Sequence, residues 1–170
     1  MHLAAILSAM GEKQPELAEK VNVYGFLNGL NLAREHKCTM FSPSSIASYG
    51  GEHFPKDNTP EDTILQPTTI YGVTKVFNEM IGDYYNKKFG VDFRGIKYPG
   101  VISSEKYAFN GTACYSTRRF ILPSLKHIEI FFDALEKGHY TSFLGPKSYL
   151  PMIYIDDCIA GTVSVLVCVT

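Results

Sequence analysis

No cysteine in this sequence has a close partner. Cys38, Cys114, Cys158 and Cys168 stand far apart, with neither the short spacing of a zinc site nor the density of a disulfide scaffold. They read as buried or free thiols in a reducing compartment. Charge of one sign is also scarce. A formal net charge of -1 leaves no basic footprint for nucleic acid, and no block of like charges marks an interaction tail. No apolar run reaches the roughly 18 to 20 residues that cross a bilayer, so no membrane partner is expected. The N-terminus lacks a basic region followed by an apolar one, so no targeting address is legible. What is present is ordinary globular material, 45% hydrophobic and 19% charged in 170 residues, enough for one domain with a substantial core.

The chain opens on an apolar run from Met1 to Met10, expected to be a buried strand entered in mid-element. From Pro15 to about His36 the apolar residues Leu17, Val21, Tyr24 and Leu27 recur at helical steps. Cys38 to Ile46 reads as a strand leading into Pro43-Ser44-Ser45. Serines at a strand's carboxyl end lie where open parallel sheets bind ligands; they are also ordinary turn formers. Glu52 to Gln66 reads as a surface loop. From Tyr71 to Lys88, Val73, Val76, Phe77, Met80, Ile81 and Tyr84 follow the period of an amphipathic helix, which Phe89-Gly90 ends. Val91 to Tyr98 is the next strand. Helix, strand, helix, strand in this order implies parallel pairing and an α/β layer fold.

Beyond Val101 the periods weaken. Tyr107 to Tyr115 is loop-like, Arg118 and Arg119 are either solvated or a grip for a phosphate or carboxylate, and Ile128 to Lys137 reads as an amphipathic helix. Met152 to Ile155 is a short strand, with Asp156 or Asp157 expected to cap the apolar helix that follows.

Chemistry concentrates at Tyr71 and Lys75. Four residues apart on a helix, they share a face. An ammonium beside a phenol favours the phenolate and lowers its pKa, making a general base. Spacing alone does not single the pair out, because Tyr84 and Lys88 repeat it. The surroundings do: Ser45 ends the preceding strand, and Tyr98-Pro99-Gly100-Val101 follows the next one.

With those residues in place, the chain resembles the extended short-chain dehydrogenase/reductase family, the NAD-dependent epimerases and dehydratases. Within it, the chain is most similar to the NAD-dependent L-threonine 3-dehydrogenases. The resemblance rests on HLAAILSAMGE at residues 2 to 12, SPSSIASYG at 42 to 50, TTIYGVTKV at 68 to 76, KKFGVDFRGIKYPGVIS at 87 to 103 and LPMIYIDDC at 150 to 158. It implies a partial Rossmann-like, doubly wound parallel sheet. Residues 1–104 would be the second half of an NAD-binding domain, and 105–170 part of a substrate-binding region with an insertion near 117–127.

The resemblance also implies roles. Tyr71 would be the base, Lys75 would hold the nicotinamide ribose, Ser45 would hydrogen-bond the substrate oxygen, and Asn22 would order a proton relay near the lysine. Leu3, Ala4, Ala5 and Val101 would pass along NAD; Ser8, Ser44 and Thr112 would line the threonine site. The product would be 2-amino-3-oxobutanoate. The partner would be a second copy, through helices 15–36 and 71–88. The implied compartment is mitochondrial for a eukaryotic source and cytoplasmic for a bacterial one. Two departures qualify these roles. The family's glycine-rich pyrophosphate turn has no counterpart here, because Met1 to Ala5 matches the fourth strand, so little activity and marginal folding are expected of the chain alone. Ala113 and Cys114 also replace a threonine and an aspartate of the family pattern. Two alternatives stay open: a non-catalytic subunit that pairs with intact enzyme, and a nucleotide-sugar epimerase or dehydratase.

Overall fold

The computed structural model describes residues 1–50, 54–55, 57–102 and 151–168. They fall into two compact units, one of Met1–Tyr98 joined by the chain from Thr162 on, the other running from Pro99 to Gly161. Thr112, the Ala113-Cys114 departure, Arg118, Arg119, the insertion near 117–127 and the helix read over Ile128 to Lys137 lie outside the described residues.

In the first unit a short helix α1 (Ser8–Lys13) precedes α2 (Pro15–Glu19). Pro15 sits at a helix start, where its missing N–H removes no bond. A π-helical turn, Lys20–Tyr24, carries α2 directly into α3 (Gly25–His36). Strand β1 (Met40–Ser45) follows, then a 3-10 turn, Ile46–Ser48. The long helix α4 (Ile70–Phe89) crosses back to β2 (Phe93–Tyr98). β1 and β2 pair in parallel from Met40 opposite Phe93 to Ser45 opposite Tyr98. A parallel pair joined through a crossover helix is the expected α/β layering.

The core forms where α3 meets the strands: Phe26, Leu30, Ala33, Met40 and Val91 are buried together, with Ile81, Tyr85 and Phe93 packed against them. Phe26 meets the ring of Phe93 edge-on, centroids 5.7 Å apart. Gly90 ends α4 at φ 70°, where a side chain would be strained.

One expectation changes here. The opening run is not a regular strand. It is extended, bonds to β1 from the His2 amide to the Phe41 carbonyl at 2.8 Å, and turns helical at Ser8. One backbone bond aligns a segment without making a ladder. The apolar stripe of α4 reaches the core only in part, through Ile81. Val73, Met80 and Tyr84 are 48%, 68% and 50% exposed, whereas Thr74, Lys75 and Asn78 point inward at 7% or less. Cys38 and Cys168 are exposed free thiols, the second of the two states expected for them.

The second unit contains β3 (Gly100–Ile102) and β4 (Met152–Tyr154), paired in parallel with Gly100 opposite Met152. Helix α5 (Ile155–Val167) starts before the two aspartates. Asp156 and Asp157 therefore lie in its first turn, favourable for the helix dipole, and neither is the capping residue. Its last turn belongs to the first unit, where Arg94 Nη1 donates to the carbonyls of Val165 and Leu166 at 2.8 and 3.2 Å. A cation there satisfies carbonyls that the helix leaves free.

Candidate active site

Tyr71 owes its position to the way α4 begins. Thr69 caps the helix, its hydroxyl accepting from the Gly72 amide at 3.1 Å. Glu12 of α1 accepts from the Ile70 amide at 2.8 Å, placing a carboxylate on the positive end of the helix dipole. Gly72 lies so close to the turn after β1 that a Cβ there would overlap the Ala47 carbonyl oxygen. The approach sets Tyr71 beside Ser45, whose hydroxyl hydrogen-bonds the phenol.

One helical turn on, Lys75 is only 5% exposed. Its Nζ donates to the Pro43 carbonyl at 2.6 Å and stands 5.4 Å from the centroid of the Tyr71 ring. Burial pulls its pKa down to about 8, and the Glu79 carboxylate opposes that pull. The ammonium form is retained at neutral pH. Tyr71 moves in the direction opposite to the expected one. Burial raises the phenol's pKa, and the opposing influence is the hydrogen bond from Ser45, not the lysine charge.

Asn22 is 1% exposed in the π-helical turn. Its Oδ1 accepts from the Ile6 amide at 2.6 Å, and its Nδ2 donates to the Ile6 carbonyl at 2.9 Å and to Thr74 Oγ1 at 3.1 Å. Thr74 in turn donates to the Tyr71 carbonyl at 2.8 Å. One amide thus ties the opening segment to the helix that bears Tyr71, and its own hydrogen bonds go to Ile6 and Thr74 rather than to Lys75.

The remaining expected residues are spread more widely. Leu3 is 61% exposed and Ala4 also exposed, while Ala5 is half-buried; all three lie on the extended segment before α1. Ser8 begins α1. Ser44 does not share the direction of Ser45: its hydroxyl donates to Glu79. Alternation along a strand sends neighbours to opposite faces. Val101 belongs to β3 in the other unit.

Several residues of this site are not among those the sequence singles out. Thr74 and Glu79 are two. His2 is a third: its imidazole is 5.6 Å from the Phe26 ring, its Nε2 is buried without a partner, and its pKa is lowered by burial and then by the Lys75 charge. Asn78 is a fourth. Its Oδ1 is buried without a partner beside a cleft of about 300 Å³ whose lining includes Lys75, Glu79 and Lys97. Of these only Glu79 had a usable signal, its place four residues after Lys75.

The donor set fits one end of a dinucleotide. Lys75 has three ammonium donors, of which Pro43 takes one, leaving the others for vicinal hydroxyls. For a pyrophosphate the sequence offers no turn of closely spaced glycines at a helix start.

An uncharacterized epimerase/dehydratase of Staphylococcus aureus is 44% identical over 166 residues, spanning 98% of this chain and 48% of the relative. The crystal structure of L-threonine dehydrogenase from Phytophthora infestans superposes with a TM-score of 0.82 at 44% identity, over 100% of this chain and 52% of that one. L-threonine 3-dehydrogenase from Trypanosoma brucei gives 0.81 at 35% identity, over 98% of this chain and 48% of that one. The chain therefore spans about half the length of the relatives it matches, and its fold is the Rossmann-like fold of those proteins. The model of the NAD dependent epimerase/dehydratase family matches residues 1–166, and the chain belongs to that family.

Proposed function

We propose that this chain supplies the proton-transfer part of an NAD-dependent L-threonine 3-dehydrogenase site, oxidising L-threonine to 2-amino-3-oxobutanoate. The observation that carries the reading is the meeting of Ser45, Tyr71 and Lys75 in a chain 44% identical to the Phytophthora L-threonine dehydrogenase. NAD, when bound, supplies the acceptor for the hydride from C3. Tyr71 takes the proton of the C3 hydroxyl. Ser45 hydrogen-bonds both the phenol and the substrate oxygen, steadying the developing negative charge. Lys75 uses its remaining donors on the nicotinamide ribose and keeps a positive charge near a phenol that burial makes less acidic. Asn22 holds the opening segment, so that Leu3, Ala4 and Ala5 pass along the cofactor. By the same resemblance Val101 lies near the carboxamide, and Ser8 and Thr112 near the amino acid. Ser44 drops out of the substrate set, because its hydroxyl is committed to Glu79. A second copy of the chain is the proposed partner, meeting it through α2, α3 and α4.

A chimera that completes residues 1–170 with the non-overlapping segments of the Phytophthora enzyme tests the assignment. It is expected to form NADH from L-threonine, and Tyr71→Phe is expected to lower kcat about 10²- to 10⁴-fold, the range of a lost general base. The chain alone is expected to turn over far more slowly. A chimera that binds NAD yet leaves L-threonine untouched while converting a UDP-sugar would refute the substrate.

A further inference from the structure

Glu79 stands one turn beyond Lys75 on α4, so the two project from one face of the helix. Both oxygens of its carboxylate are held by the strands below. Ser44 Oγ donates to Oε1, and Lys97 Nζ donates to Oε2 at 2.5 Å. Ser44 and Lys97 are register partners in the parallel ladder, so a single carboxylate grips β1 and β2 on one rung. The residue before Ser44 is Pro43, whose carbonyl receives the Lys75 ammonium. Lys75 and Glu79 thus attach neighbouring turns of α4 to neighbouring residues of β1.

We propose that Glu79 is a positioning residue for the Tyr71–Lys75 pair: clamped by Ser44 and Lys97, its carboxylate fixes the end of β1 against α4 and supplies the negative charge that holds the Lys75 ammonium in place. The catalytic meaning of this role rests on the dehydrogenase reading, but the charge it assigns to Glu79 can be measured without NAD or substrate. The groups around Lys75 set the signs. His2 faces it from the opening segment, Tyr71 and Glu79 from α4, and Lys97 from β2 beside the shared cleft. Burial lowers the Lys75 pKa and Glu79 raises it. Lys97 draws on the same carboxylate, so the two lysines compete for one negative charge.

The test is the titration of Lys75 in the 170-residue chain labelled with ¹³Cε-lysine, its signal assigned through Lys75→Met. The wild-type midpoint is expected near 8. Glu79→Gln is expected to lower it by about one unit, the effect of losing a nearby opposite charge, and Glu79→Asp to restore most of that. Lys97→Met frees the carboxylate from its second cation and is expected to raise the midpoint. General loosening of the site would hydrate Lys75 and raise the midpoint in every variant. An unchanged or raised midpoint in Glu79→Gln therefore overturns the proposal. If Glu79→Gln does not fold, Glu79→Asp decides alone: its carboxylate is drawn back by one methylene, so a slightly lowered midpoint supports the role, and an unchanged or raised one overturns it. Failure here leaves the L-threonine assay standing, and failure of that assay leaves this titration standing.

Discussion

A lysine held at 5% exposure costs the fold stability whenever it is charged. Its pKa falls from 10.5 in the unfolded chain to about 8 in the folded one. Below pH 8 both states are protonated, and the fold carries the whole penalty, about 3 kcal/mol at 1.36 kcal/mol per unit. As the pH rises from 8 towards 10.5 the folded state releases its proton first, and stability grows. Between pH 7 and 9.5 the gain is about 2 kcal/mol. Urea unfolding of wild type and Lys75→Met at these two pH values measures it: the wild type should gain by that amount relative to the variant. Equal pH dependence in the two proteins would show that the lysine is not desolvated. At this scale the sequence exposed the pair itself, because four-residue spacing is visible in a string. It did not expose the raised pKa of Tyr71, which depends on burial. Nor did it expose Thr74, whose bond to Asn22 joins residues 52 positions apart.

At the scale of the element, α4 was legible in extent but not in which of its faces is buried. Its period, its end at Gly90 and its length follow from local chemistry. Which face turns inward does not. The small and polar face of Gly72, Thr74, Lys75, Asn78 and Gly82 is buried, against the rule that the apolar stripe seeks the core. Hydrophobic periodicity reports that a face will be covered, without saying by what. The buried face is also intolerant of volume. Gly72→Ala forces a methyl into the Ala47 carbonyl, and because the obstacle is backbone, the start of α4 must shift. A loss of about 1 to 3 kcal/mol is expected in thermal or denaturant unfolding. The displacement should also move the Tyr71 ring relative to Ser45, seen as a changed phenol midpoint in ultraviolet titration. An unchanged midpoint with full stability would mean that the contact relaxes freely.

For the whole molecule the exposed stripe becomes the leading feature. Val73, Met80 and Tyr84 on α4, with Leu17 on α2 and Tyr24 in the π-helical turn, are each at least 40% exposed. Large apolar side chains in such number suit the association surface proposed for these helices. With a second copy as the proposed partner, Met80→Glu should halve the mass seen by light scattering and leave the far-ultraviolet spectrum unchanged. A wild-type chain that is monomeric at every concentration would remove the proposal. The α/β order and the parallel pairing of β1 with β2 were legible from alternating periods. The opening segment was not, because its apolar residues match a strand, whereas one backbone bond to Phe41 and the side chain of Asn22 hold it.

Between Glu19 and Gly25 the chain carries a turn wider than an α-helix needs. Removing one residue there would restore regular spacing and turn the two flanking segments by about 100° relative to each other. Asn22 would then swing away from Ile6 and Thr74 together, leaving both sides unsatisfied in the interior. The residue count of this turn is thus set by what it must reach. Insertions and deletions that a surface helix would absorb are closed to it, and a chain one residue shorter would gain a more regular helix while setting its own first residues adrift.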